Sequence, residues 1–214
     1  LMVTTLWTAR LQQINQDTIE RQFAAAASNH ANQIVERLFR LQYGLRGIQG
    51  AILGSDEAHL SDEVFRAVRQ ADNLVLELNG AQGFGYLRRR PNATGEQWDA
   101  PYVAALDDTP ANALQQALKS PAAQQAAQVA WTRQAPTLSS PQHAQGPHGE
   151  AHLVLLLPAQ PRLNPGTDAN PHPLNGSWVG LVFDLASTLV DLAPQESGYR
   201  MAITDVTPGA PPAL

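Results

Sequence analysis

The chain has 214 residues, a hydrophobic content of 43% and a formal net charge of −5. These values predict a globular protein with one large or two small domains. They argue against nucleic acid as a partner, because phosphate binding uses Lys and Arg clusters, which this chain lacks apart from Arg88-Arg89-Arg90. The absence of cysteine excludes disulfide bonds and thiolate metal sites, and nothing in the composition indicates a cofactor.

The first quarter of the chain predicts one long helix from about Leu6 to Ile52. Its apolar residues recur in steps of four and three, the heptad pattern of a helix seam. They are Trp7, Leu11 and Ile14 upstream, with the polar Thr18 at the next step, and Ile34, Leu38, Leu41, Leu45, Ile48 and Ile52 downstream. We expect the upstream seam to face a second copy of the helix and the downstream seam to pack on its own chain. Three glycines near the end, Gly44, Gly47 and Gly50, predict either a close neighbour or a bend.

No run of about 20 apolar residues, the length that a spanning helix needs, occurs in the chain. The chain nevertheless starts with an apolar stretch, Leu-Met-Val-Thr-Thr-Leu-Trp, which is typical of the last turn of a membrane-spanning helix, because Trp is enriched at the membrane–water interface. We therefore expect a fragment of a membrane-anchored protein. A trimmed soluble protein is the alternative.

Shorter elements follow, separated by turn residues. A second helix begins at the cap Ser61 and ends before Asn73. The helix after the cap Ser120 is predicted to run to Arg133, and Asp184 is predicted to cap a short helix from Leu185 to Leu192. The apolar runs at His152–Pro158 and Trp178–Phe183 predict buried strands. Further strands are predicted at Ala81–Pro91, Trp98–Leu106, Thr137–Pro141 and Tyr199–Val206. The segment 161–176 is dense in Pro, Asn and Gly and predicts an internal boundary.

No strong catalytic signature occurs, neither a Gly-x-Ser-x-Gly elbow nor a Walker loop. His148, Glu150 and His152 would share one face of a strand and could hold a metal, but a hydrated approach to a hairpin explains them more simply. We predict no metal site. Arg88-Arg89-Arg90 could bind an anion, although a solvated strand end is the favoured interpretation and alternation places Arg89 opposite its neighbours.

Two further groups have both a structural and a functional interpretation. Asp107 and Asp108 stand where a strand meets a Pro-containing turn, so turn chemistry explains them, while Asp107 could also anchor a ligand. Aromatic side chains could line a pocket or fill the core. They are Phe84, Tyr86, Tyr102 and Trp131.

Several short motifs, taken in order, resemble the CHASE family, the extracytoplasmic sensory domains of transmembrane histidine kinases and nucleotide cyclases. They follow the long first helix and are Gln82-Gly83-Phe84-Gly85-Tyr86, Asp99-Ala100-Pro101-Tyr102, Thr137-Leu138-Ser139-Ser140-Pro141, Leu155-Leu156-Leu157-Pro158 and Gly180-Leu181-Val182-Phe183-Asp184. The resemblance covers nearly the whole chain. It implies an α+β fold with a long stalk helix (1–60), a membrane-distal PAS-like ligand-binding unit (61–160), and a linker with a membrane-proximal PAS-like unit (161–214).

The cytokinin-receptor branch of that family implies a ligand site. Laid on that branch without a gap, Asp107 falls on the acidic residue that anchors an adenine ring, and Ser139 on a hydroxyl-bearing pocket position. Leu138 and Leu155, from the quoted motifs, complete the predicted site with the four aromatic residues. A buried carboxylate suits an adenine because it accepts N–H hydrogen bonds. Other ligands with N–H donors would also fit. The sequence departs from the family's pattern at Ala159-Gln160, where the family has Val-Tyr.

The sequence thus predicts the periplasmic or extracellular sensing domain of a membrane-anchored receptor. It would be a homodimer through the first helix and would pass ligand occupancy to a cytoplasmic kinase or diguanylate cyclase of a two-component or related system. The fragment itself is not expected to be an enzyme. The alternatives are a ligand-free dimerisation module and a periplasmic hydrolase that uses Ser139 or Ser140 with His143 or His152 and an Asp.

Overall fold

A computed structural model describes residues 2–53, 61–71, 78, 80–92, 95–143, 151–159 and 176–190. These residues form an α+β fold with a long N-terminal helix, an antiparallel sheet and shorter helices, which confirms the predicted class. The chain divides into two compact units, residues 1–38 and residues 39–214. The sheet belongs to the second unit.

Helix α1 spans Met2–Leu53, as the heptad pattern predicted. In the second unit its downstream seam is buried, with Leu41, Leu45, Ile48 and Ile52 all at most 4% exposed. A Cβ on Gly44 would lie 2.6 Å from the Leu78 Cδ2 atom, so a close neighbour explains this glycine. Gly47 and Gly50 have open space instead.

Within the described residues, six strands form one antiparallel sheet in the order β2-β1-β6-β5-β3, and β4 also pairs with β5. Their bounds are Ala81–Asn92 for β1, Gly95–Ala105 for β2, Thr137–Leu138 for β3, Gln142–His143 for β4, Ala151–Pro158 for β5 and Ser177–Asp184 for β6. Every residue of β6 is buried, as the apolar run predicted. β6 follows the predicted boundary at 161–176, yet it pairs with β1 and β5, so the sheet extends across that boundary.

Four shorter helices accompany the sheet in the described part of the chain: α2 (Asp62–Ala71), α3 (Ala111–Leu118), α4 (Pro121–Arg133) and α5 (Leu185–Leu189). Asp184 caps α5 by accepting hydrogen bonds from the Ala186 and Ser187 amides, as predicted. No sequence motif predicted α3. The predicted strand Tyr199–Val206 lies outside the described residues.

Ser120 caps α4 with both polar functions of its hydroxyl. The oxygen accepts from the Ala123 amide at 3.2 Å, and the O–H donates to the Ala117 carbonyl at 2.8 Å, which links the end of α3 to the start of α4. We expect Ser120→Ala to lower the free energy of unfolding by about 1 kcal/mol, the usual value of an N-cap, measured by urea denaturation. Ser140→Ala, at an exposed position, is the control, and an equal loss in both variants would contradict the cap assignment.

Candidate functional site

The two faces of the sheet are packed differently. One face is covered by α3 and α4, and its core includes Leu87, Leu114, Leu118, Val154 and Trp178. On the opposite face, Phe65 of α2 stacks on Phe84 and Tyr102, with ring centroids 5.8 and 5.6 Å apart. Alternation along each strand explains the division, because successive side chains point to opposite faces.

Five of the eight predicted ligand-site residues belong to the face that carries Phe65. Phe84 pairs with Leu181, Leu181 with Leu155, and Leu155 with Leu138, so these side chains form one row across β1, β6, β5 and β3. Tyr86 and Tyr102 form the neighbouring cross-strand pair. Phe84 and Tyr86 are buried, Tyr102 and Leu155 are half-buried, and Leu138 is 43% exposed at the sheet edge.

The polar residues of the predicted site lie apart from each other. Asp107 is exposed just after β2, at one edge of the sheet, and its Oδ1 accepts the Thr109 amide at 2.8 Å. This contact confirms the turn chemistry that was predicted there. Ser139 follows β3 at the other edge, which is four strand spacings away, or roughly 19 Å across the sheet. The structure does not bring Asp107 and Ser139 together.

Ser139 is buried, and its hydroxyl continues the pairing between strands. The Ser139 amide donates to the Val154 carbonyl at 2.8 Å, while the Val154 amide donates to Ser139 Oγ at 2.9 Å. The same hydroxyl donates to the Ser140 carbonyl at 3.0 Å. Because Oγ is occupied by two backbone groups, it is not held as an activated nucleophile.

Three glycines form a floor beneath α3. We call Gly83, Gly85 and Gly180 the glycine floor. A Cβ on each would lie 2.4–2.6 Å from a methyl carbon of Leu114 or Leu118, so only bare backbone permits this contact. Both leucines are at most 1% exposed. The glycine-lined part of the sheet is therefore occupied by the protein's own side chains.

Trp131, the last of the predicted residues, lies on the α3–α4 side in a cluster that sequence analysis did not identify. We call Arg89, Trp98, Trp131 and Trp178 the Trp–Arg cluster. The Trp178 ring centroid lies 5.2 Å from that of Trp98 and 5.7 Å from that of Trp131. The Arg89 Cζ atom lies 5.5 Å from the Trp98 centroid and 5.9 Å from the Trp178 centroid, within the range of cation–π attraction.

Arg89 is 8% exposed, so the prediction of a solvated strand end is wrong for this residue. Its Nη1 donates to the Glu96 carboxylate at 3.4 and 3.5 Å. Alternation does place Arg88 on the other face, where its Nη2 lies 3.1 Å from the Asp99 Oδ2 atom. Arg89 and Trp98 face each other across the β1–β2 hairpin. Sequence analysis did not reveal this pair, because it depends on the register of the hairpin.

The histidines that were considered for a metal site or a hydrolase do not form either site in the described residues. His148 and Glu150 lie outside the described residues, and among those that are described, no group of three or more His, Cys, Asp or Glu side chains could hold a metal. His152 pairs with Gln142 on one side and Asp184 on the other. The Asp184 carboxylate caps α5, so it is not directed to His152 as a catalytic partner.

No protein-family model matches the chain, and no curated protein matches it significantly. Among the described helices, none is both long and apolar enough to cross a membrane.

Proposed function

We propose that this chain is the periplasmic or extracellular sensing domain of a membrane-bound receptor of the CHASE kind. In this proposal a small molecule binds to the sheet unit, and α1 passes the occupancy of the site to a cytoplasmic kinase or diguanylate cyclase. The antiparallel sheet, with two helices inserted between β2 and β3, is the PAS-like unit of the proposal. A second such unit would involve residues outside those described.

The distribution of burial along α1 is the observation that carries the proposal. Residues 13–29 are exposed on every side of the helix, although they include the large apolar residues Ile14, Ile19 and Phe23. The same helix supplies Leu41, Leu45 and Ile48 to the core of the second unit. One helix with an exposed apolar segment and a buried segment fits a stalk that pairs with a second copy and is coupled to a folded sensor.

A thermal screen of the purified domain tests ligand sensing. We expect a purine or another small metabolite with N–H donors to raise the melting midpoint, because a ligand that binds only the folded state stabilises it by mass action. Asp107→Ala should abolish that shift and alter kinase or cyclase output in the full-length receptor. Asp108→Ala, at the adjacent exposed position, is the control.

Ligand sensing would be contradicted if two results occurred together. In the screen, no compound would shift the melting midpoint, and the full-length Asp107→Ala receptor would have the same output as the unaltered protein.

A ligand-free dimerisation module is the second candidate, and the glycine floor favours it. Leu114 and Leu118 occupy the surface that Gly83, Gly85 and Gly180 would otherwise offer to a ligand. Such a module would dimerise through α1 and would show no response in the thermal screen. The hydrolase alternative receives no such support, since the Ser139 hydroxyl already bonds to two backbone groups.

A further inference from the structure

The Trp–Arg cluster contains two buried donors for which the described part of the chain supplies no acceptor. Among the described residues, neither Arg89 Nε nor Trp178 Nε1 has a hydrogen-bond partner, although Trp178 is fully buried and Arg89 is 8% exposed. Buried N–H groups are nearly always paired, because an unpaired donor forfeits its hydrogen bond to water. Both donors belong to one cluster, because the guanidinium carbon lies 5.9 Å from the Trp178 ring centroid.

The present partner of Arg89 shows what chemistry the guanidinium accepts. Glu96 contacts Nη1 at 3.4–3.5 Å, which is longer than the roughly 2.7–2.9 Å of a strong charged hydrogen bond. The Glu96 side chain is 38% exposed, whereas that of Arg89 is 9% exposed. Glu96 thus reaches the guanidinium from the solvent side through a loose contact and leaves Nε without an acceptor.

From these contacts we infer that the Trp–Arg cluster is a binding site for a small organic carboxylate, and that Glu96 is a stand-in which the ligand displaces. A single guanidinium is matched in charge by a single carboxylate, whose two oxygens can accept from Nε and Nη in parallel. The Trp178 N–H is a further donor in the same cluster. Trp98 and Trp131 are only half-buried and offer ring surface to the apolar body of the ligand.

The cluster is held in place by its surroundings. The Arg89 amide donates to the Gly176 carbonyl at 3.0 Å, and a Cβ on Gly176 would lie 2.3 Å from Trp178 Cη2. The Trp178 ring therefore lies directly against bare backbone, and its position is fixed before any ligand arrives. Such preorganisation reduces the ordering cost of binding.

Carboxylate binding is testable by tryptophan fluorescence, because three of the four tryptophans belong to the cluster. In a Trp7→Phe background, we expect benzoate to change the emission, whereas benzamide, its neutral analogue, does not. Glu96→Gln should strengthen benzoate binding by about tenfold, since it removes the competing charge, and Arg89→Lys should weaken it by at least about tenfold, since lysine lacks the planar fork. Asp99→Asn, whose partner Arg88 lies on the opposite face, should leave the affinity unchanged.

Two results would overturn the inference. One is that benzoate does not bind to the Glu96→Gln variant. The other is that benzoate binds equally well to the Glu96→Gln variant and to the Glu96→Gln, Arg89→Lys double variant. Only the signalling role of the site rests on the proposed sensor function. If a purine stabilises the domain and benzoate does not bind, the carboxylate site fails while the sensor stands. If benzoate binds and no ligand alters receptor output, the site stands while the sensor fails.

Discussion

Shortening Leu118 to alanine should lower the free energy of unfolding by about 2–5 kcal/mol, the range for removing a fully buried leucine. Leu118 is 0% exposed, and its two methyl groups fill the space above Gly85 and Gly180. The floor cannot collapse easily, because glycine backbone has no side chain with which to fill the cavity. Urea denaturation of the purified domain, with a check for an unchanged slope, measures the loss.

Gly180→Ala makes this prediction specific to the contact. In the native protein the new Cβ would lie 2.4 Å from Leu118 Cδ2, so we expect a loss of about 1–3 kcal/mol from overpacking. In the Leu118→Ala background that methyl carbon is gone, and the next neighbours are Leu156 Cδ2 at 3.1 Å and Val154 Cγ1 at 3.6 Å. Gly180→Ala should then be neutral or stabilising, which a double-mutant cycle reports as a favourable coupling energy.

Gly47→Ala is the matched control for glycine removal. Nothing lies within 4 Å of its Cβ position, and the residue stands inside α1, so alanine should stabilise the protein by up to about 1 kcal/mol. Additive effects of Gly180→Ala and Leu118→Ala would show that the glycine floor is not packed against α3. The ligand-free candidate would then lose its supporting observation.

Local sequence signals predicted most of the elements. The apolar run at Trp178–Phe183 marked β6, and Ser120-Pro121 marked the start of α4, because a cap residue and a first-turn proline act within a few residues of each other. Helix α3 was missed because it lacks such local signals. Pro110 occupies its cap position without a side-chain hydrogen bond, and the helix has only eight residues.

The order of strands depends on contacts between distant parts of the chain. β6 pairs with β1, which begins about a hundred residues earlier, and no pattern within Ser177–Asp184 reveals that partner. The Trp–Arg cluster was missed likewise, because Arg89, Trp98 and Trp178 come from three strands. The turn role of Asp107 was predicted correctly, since an Asx contact spans two residues.

A carboxylate placed in the downstream seam of α1 should prevent folding of the second unit. Leu41 is 2% exposed, so Leu41→Asp buries an unpaired charge and should cost more than about 4 kcal/mol. Tyr43→Asp lies two residues away on the same helix at 68% exposure and should change stability by less than about 0.5 kcal/mol. Circular dichroism and urea denaturation measure both variants, and equal stability would show that the downstream seam is not part of the core.

The same charge placed upstream should separate dimers and leave the fold intact. Ile14 is 53% exposed in the single chain, and under the proposed pairing it meets the Ile14 seam of a second copy. Ile14→Asp should weaken dimerisation at least about 100-fold, because both helices of the dimer carry the new charge. Gln13→Asp, an exposed neighbour outside the seam, should leave the dimer unchanged. Sedimentation velocity across a concentration series measures the dimer fraction, and a native protein that is monomeric throughout would remove the stalk pairing from the proposed receptor.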